Sequence, residues 1–139
     1  MKSVVRSYDT SRTDLLNLTR DAADFASEAG GDGLLHVFAP HATAGLALIE
    51  TGSGSEEDLR AAVDRLLPPD AGYRHSHGSV GHGRDHVLPA FISPSLTLPV
   101  VGGEIQLGTW QSIVFVDTNR DNPHRNVRFS FVPVQAGAK

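Results

Sequence analysis

The stretch Thr97–Val134, TLPVVGGEIQLGTWQSIVFVDTNRDNPHRNVRFSFVPV, decides the fold class because nearly all of it reads as β structure. TLPVV, EIQL, QSIVFVD and VRFSFVPV are rich in branched and aromatic residues. Breakers separate them: Gly102-Gly103, Gly108-Thr109 and the polar run TNRDNPHRN. In the last segment Val127, Phe129 and Phe131 alternate with Arg128 and Ser130, so one face packs inward and the other meets water.

Upstream of this block the pattern changes. SVVRS near the start reads as a short strand. Leu15, Leu18, Ala22, Phe25, Ala26 and Ala29 then recur at helical spacing, with Ser11 and Asp14 as a capping signal and Gly30-Gly31 as a stop. LLHVFA has no polar face and predicts a buried strand. AGLALIE, beyond the Pro40-His41 turn, predicts another. A second helix takes Ser55 as N-cap and sets Glu56, Glu57 and Asp58 at the positive end of its dipole. It buries Leu59, Ala62, Val63 and Leu66 and stops at Pro68-Pro69. Strands at both ends with two main helices between them imply an α+β fold on a mixed or antiparallel sheet, not a βαβ alternation. The length, 139 residues, fits one domain spanning 1–139.

Composition narrows the function classes. Hydrophobic residues at 40% and charged residues at 20% are ordinary globular values, and no apolar run has membrane-spanning length. The first residues lack the features of a secretory signal, so the cytoplasm is the expected compartment. A net charge of −4 and a pI near 5.9 offer no general basic field for nucleic acid or an anionic membrane, and neither partner is expected. With no cysteine, disulfides and thiolate chemistry are excluded, and any metal must be held by nitrogen and oxygen.

HSHGSVGHGRDH, His75–His86, carries four of the seven histidines. Neutral imidazole is the commonest metal ligand, and three such ligands with one open position make a catalytic site. His75 and His77 would share a side if extended. His82 and His86 have helical spacing, but Gly81 and Gly83 beside them predict a loop. No HExxH motif is present. The competing reading is a polar surface loop, or histidines that hydrogen-bond around a pocket. His124 reads as solvated and His36 as a core histidine with a hydrogen-bond partner.

PHATAGLALIE, YRH, DHVLPAFISPS, LPVVGGEIQLGTWQ and Arg125 occur in that order, and together they resemble the YjbQ family, sometimes named secondary thiamine-phosphate synthases. The likeness runs from about Gly33 to Val132, and LGTWQ is its most specific element. It implies a YjbQ-like fold, a homotrimer, and a site where His41, His75 and His86 converge on a divalent metal, with zinc the expected ion. His86 and Glu50 become the catalytic candidates. Glu50 would orient a ligand or act as general base, or else serve as a capping or ion-pairing carboxylate before the second helix, with Asp58 in support. His77 and His82 would stand behind the ligands, face the substrate or be merely polar.

Thr43, Thr109, Trp110, Gln111 and Arg125 become substrate-binding candidates, since a Gly-containing turn can offer N–H groups to an anion and arginine can grip phosphate bidentately. Their structural alternatives are packing for Trp110, holding the turn for Gln111 and an ordinary intersubunit or surface ion pair for Arg125. The implied substrate is a phosphorylated small molecule. The implied reaction joins a pyrimidine pyrophosphate to a thiazole phosphate, with metal-assisted hydrolysis or a non-catalytic binding trimer as alternatives. The chain departs from the family pattern at Ile49-Glu50-Thr51, which replaces NEN, at Ser53 and at Ser93.

Overall fold

The computed structural model describes residues 1–135. Its strands are β1 (Lys2–Asp9), β2 (Leu15–Asn17), β3 (Gly33–Phe38), β4 (Gly45–Ile49), β5 (Ser95–Val101), β6 (Glu104–Ile105), β7 (Ser112–Val116) and β8 (His124–Pro133). Its helices are α1 (Thr19–Ala29), α2 (Ser55–Leu66) and the single turn α3 (His82–Asp85). The strands form two antiparallel sheets, ordered β1-β8-β3-β5-β6 and β2-β7-β4, so the fold is α+β as expected.

β8 organises the larger sheet. It pairs with β1 on one side and β3 on the other, and Arg125, Val127, Phe129 and Phe131 all turn inward. Phe129 is fully buried and lies against Phe25 of α1 with ring centroids 6.1 Å apart. This main core also takes in Leu35, Val37, Leu46, Ile113 and Phe115. β7 is buried on both faces: Ile113 and Phe115 enter the main core, while Val114 and Val116 meet Val63, Leu67 and Leu88 in a second cluster. α2 therefore covers the side of the small sheet that faces away from the main core.

Several local readings change. The first helix begins at Thr19, not near Leu15, because Leu15–Asn17 pairs with β7 instead. The Leu15–Leu18 spacing mimics a helical period, but the exposed edge of β7 offers this segment a ladder, and tertiary pairing overrides local pattern. The N-cap position is Leu18, with no side-chain cap; the Asn17 side-chain oxygen accepts the Thr19 N–H at 2.9 Å, and the expected capping pair Ser11 and Asp14 lies ahead of β2. Ser55 is the first residue of α2, with Gly54 at the N-cap position and φ at +94°. The inner stripe of α2 is Leu59, Val63 and Leu67, whereas Ala62 and Leu66 face outward. Of the EIQL segment only Glu104 and Ile105 join the ladder.

β3 alternates instead of being buried on both faces. Leu35 and Val37 are buried, while Leu34 is 44% and Phe38 37% exposed on the outer face of the large sheet. His36 stands on that same outer face, half-buried, its ring 6.2 Å from that of Phe38. It is not a core histidine. His124 is exposed, as expected.

The stripe gives a direct test. Leu67→Ala should destabilise the protein by about 2–3 kcal/mol through the lost burial and the cavity it leaves. Leu66→Ala, on the exposed side, should stay within about 0.5 kcal/mol of the parent. Urea unfolding midpoints of the two variants decide; equal losses would mean that α2 is seated in another rotation.

Candidate functional site

The histidine-rich segment leaves α2 through Pro68-Pro69 and folds back, with the Tyr73 hydroxyl donating to the Pro68 carbonyl at 2.8 Å. α3 follows. Gly81 enters it with φ at +91°, a conformation that suits glycine. Gly83 is needed for another reason: a Cβ there would meet the His75 carbonyl oxygen at 2.2 Å. The glycines that predicted a loop instead let the chain carrying His75 lie directly against a helical turn. That turn sets His82 and His86, four residues apart, on one side.

One ring nitrogen from each of His75, His82 and His86 falls in a group within 4.8 Å of one another. His82 Nε2 and His86 Nε2 are 3.2 Å apart, and the rings of His75 and His86 stack with centroids 4.0 Å apart. Zinc–nitrogen bonds of about 2.0–2.1 Å in a tetrahedron separate two ligand nitrogens by about 3.3 Å. The donor set thus fits a tetrahedral ion in type, and the His82–His86 pair fits it in spacing, with His75 inside the 4.8 Å group. His75 and His86 are held below the ordinary imidazole pKa, first by desolvation and then by the like charge that neighbouring imidazoles would carry. Both effects favour the neutral, metal-ligating form.

A buried ion pair supports the turn from behind. Arg84 donates to Asp85 at 2.9 Å, to Asp64 of α2 at 2.9 Å and to the Leu67 carbonyl at 3.2 Å. Asp85 also accepts the Thr118 hydroxyl at 2.5 Å. Arg84 and Asp85 therefore tie α3 both to α2 and to the β7–β8 loop. From that loop Asp121 reaches His82, its Oδ2 lying 2.7 Å from Nδ1. The Ser79 N–H, and then His82 itself, hold the Asp121 carboxyl below the usual carboxylate range. The exposed His77 ring lies beside the group, with centroids 4.2 Å from His75 and 4.8 Å from His82.

His41 stands elsewhere. Its Nε2 lies 2.9 Å from the backbone nitrogen of Asn126 and 3.0 Å from the Asn126 carbonyl oxygen, and its ring meets Phe115 edge-on at 6.4 Å. Burial first, then the nearby Arg125 charge, depress its pKa and favour the neutral ring. Among the described residues, the structure therefore groups His75 and His86 with His82, and His41 lies outside the group.

Arg125 is 3% exposed, and its bidentate partner is Asp117, at 2.7 and 2.9 Å. It also donates to the Thr43 hydroxyl at 2.7 Å, so Thr43 and Arg125 meet each other in the interior. Thr109, Trp110 and Gln111 are exposed, Trp110 at 72%. Gln111 holds the turn, its Oε1 accepting the Gly108 N–H at 2.8 Å. Glu50 and Asp58 are exposed and outside the histidine group; Glu56 is the carboxylate that accepts the Gly52 N–H ahead of α2. Sequence reading undervalued His82, although its spacing to His86 was visible. It missed Asp121 entirely, since a polar run 35 residues downstream carries no local sign of where it folds.

Comparison with known proteins gives a consistent picture. The family described as UPF0047 protein YjbQ-like matches residues 4–134. The chain is 59% identical over 132 residues to the UPF0047 protein Rv2556c of Mycobacterium tuberculosis, covering 95% of this chain and 98% of that protein. A UPF0047 protein of Methanothermobacter thermautotrophicus is 31% identical, with 86% and 82% covered. Among solved structures, the hypothetical protein APE1520 of Aeropyrum pernix K1 superposes with a TM-score of 0.85 at 32% identity, covering 96% of this chain and all of that one. A YbjQ-like protein of unknown function from Sulfolobus solfataricus shares the fold with a TM-score of 0.88 at 20% identity, covering 96% and 97%.

The Arg125–Asp117 pair is testable. Asp117→Ala leaves a buried guanidinium without its countercharge and should cost about 3–5 kcal/mol. Denaturant titration measures it, and a loss under about 1 kcal/mol would show that the pair does not anchor the fold.

Proposed function

The chain belongs to the UPF0047 YjbQ-like family, and from that premise and the histidine geometry we propose that it is a metal-dependent enzyme acting on a phosphorylated small molecule. The observation that carries the reading is the convergence of three imidazole nitrogens within 4.8 Å, two of them at a tetrahedral ligand separation. His75, His82 and His86 would hold the ion, and zinc suits an all-nitrogen tetrahedral set. A divalent cation bound there supplies Lewis acidity toward a phosphate oxygen.

The remaining roles fall to the chain's own groups. Three neutral ligands add no negative charge, so the site retains a positive field that favours an anionic substrate. The exposed Arg74, next to His75, and Arg120, next to Asp121, add to that field. His77, exposed beside the cluster, is placed to give or take a proton at a substrate oxygen. Glu50, outside the group, has no part in this arrangement. Self-association is also proposed. The outer face of the large sheet leaves Leu34, Phe38, Val101 and Val132 exposed, which supports it, and the family resemblance suggests a homotrimer.

Metal content of untagged protein, followed by a substrate panel, tests the reading. About one zinc per chain is expected, with loss in folded His75→Ala and His86→Ala variants. The panel should include phosphate monoesters alone, which would report hydrolysis, and a pyrimidine pyrophosphate with a thiazole phosphate, which would report transfer. Turnover should disappear in His86→Ala. No metal after reconstitution, or undiminished turnover in that variant, would contradict the proposal.

A further inference from the structure

We infer that Asp121 is a positioning residue for the histidine centre: its carboxylate holds His82 in the tautomer and orientation that present Nε2 to an ion. The inference rests on the three-histidine reading and adds a group from a different part of the chain. Its geometric basis is the 2.7 Å contact between Asp121 Oδ2 and His82 Nδ1. An ionised carboxylate only accepts, so the hydrogen of neutral His82 sits on Nδ1 and the lone pair on Nε2. That Nε2 is the atom 3.2 Å from His86 Nε2.

A competing contact sharpens the assignment. Asn119 Nδ2 lies 3.3 Å from His82 Nδ1, and as a donor it would call for the opposite tautomer. The Asn119 amide orientation is fixed by its oxygen, which accepts the N–H groups of Asp121 at 3.0 Å and Asn122 at 3.1 Å. The Asp121 contact is 0.6 Å shorter than the Asn119 one and is assisted by charge, so it prevails. Asp121 is itself fixed from two directions, by Asn119 behind it and by the Ser79 N–H at 3.2 Å in front. Gly78 completes the fit: a Cβ there would meet both Asp121 Oδ2 and the His82 ring at 2.8 Å.

Such a carboxylate–histidine arrangement raises ligand basicity and removes the entropy of ring rotation, and its loss typically costs about 10–100-fold in metal affinity. The test compares wild type, Asp121→Asn and His75→Ala by competition titration with zinc and by the visible absorption of the cobalt(II) form. Melting of the metal-free proteins controls for folding. Expected are a 10–100-fold weaker affinity and an altered cobalt spectrum for Asp121→Asn, with an unchanged metal-free melting temperature. If the amide disturbs the loop, Asp121→Ser repeats the comparison, and Asp121→Glu should recover part of the affinity. Wild-type affinity and spectrum in a folded Asp121→Asn variant would overturn the inference and leave the three-histidine reading intact. Failure of wild type to bind zinc or cobalt would overturn that reading and this inference with it.

Discussion

The buried pair of Arg125 and Asp117 is the constraint on which the rest of the molecule hangs. Removing two charges from water costs several kcal/mol per ion, and only excellent geometry with further hydrogen bonds offsets it. Both conditions hold here. The guanidinium is bidentate to the carboxylate and reaches the Thr43 hydroxyl, while the carboxylate accepts from Thr10 and from the Asn119 N–H. Satisfying one buried charge pair therefore pins three connections at one point: β1–β2 through Thr10, β3–β4 through Thr43 and β7–β8 through Asn119. The last of these matters for chemistry, because the loop fixed at Asn119 is the one that aims Asp121 at His82.

The histidine centre is built from the opposite direction by glycine and charge together. Gly83 allows the His75 backbone to approach a helical turn that any side chain would block, and Arg84 and Asp85 lock that turn to α2 and to Thr118. His82 and His86 stand on the anchored turn, and His75 lies on the segment packed against it. Preorganisation of this kind lowers the ordering cost of holding a ligand set together, and desolvation with neighbouring imidazoles favours the neutral form of His75 and His86.

Much of the fold was legible in the sequence because strand alternation is a strong local signal. The inward set Val127, Phe129 and Phe131 and the glycine-bounded segments after Thr97 follow from it directly. The start of α1 was not, since Leu15 and Leu18 satisfy a helical period and only the unpaired edge of β7 decides between helix and strand. β3 reads as wholly apolar, yet which of its faces is covered depends on where the helices pack. In the site, the richness of His75–His86 was plain, and His75 and His86 come together. Spacing and resemblance gave no sign that His41 meets the Asn126 backbone, that Arg125 closes on Asp117, or that Asp121 arrives beside His82. His41 and Asn126, and Asp121 and His82, are far apart in the chain, while Asp117 and Arg125, eight residues apart, meet only because the β7–β8 loop turns back on itself; no local pattern encodes any of the three.

Zinc K-edge X-ray absorption on the zinc-reconstituted protein tests the central claim most directly. The account predicts a four-coordinate ion with about three imidazole nitrogens at about 2.0–2.1 Å, and loss of one imidazole contribution in His82→Ala. A shell of oxygens without imidazole scattering, or a spectrum unchanged in His82→Ala, would contradict the assignment of His75, His82 and His86 as the metal centre.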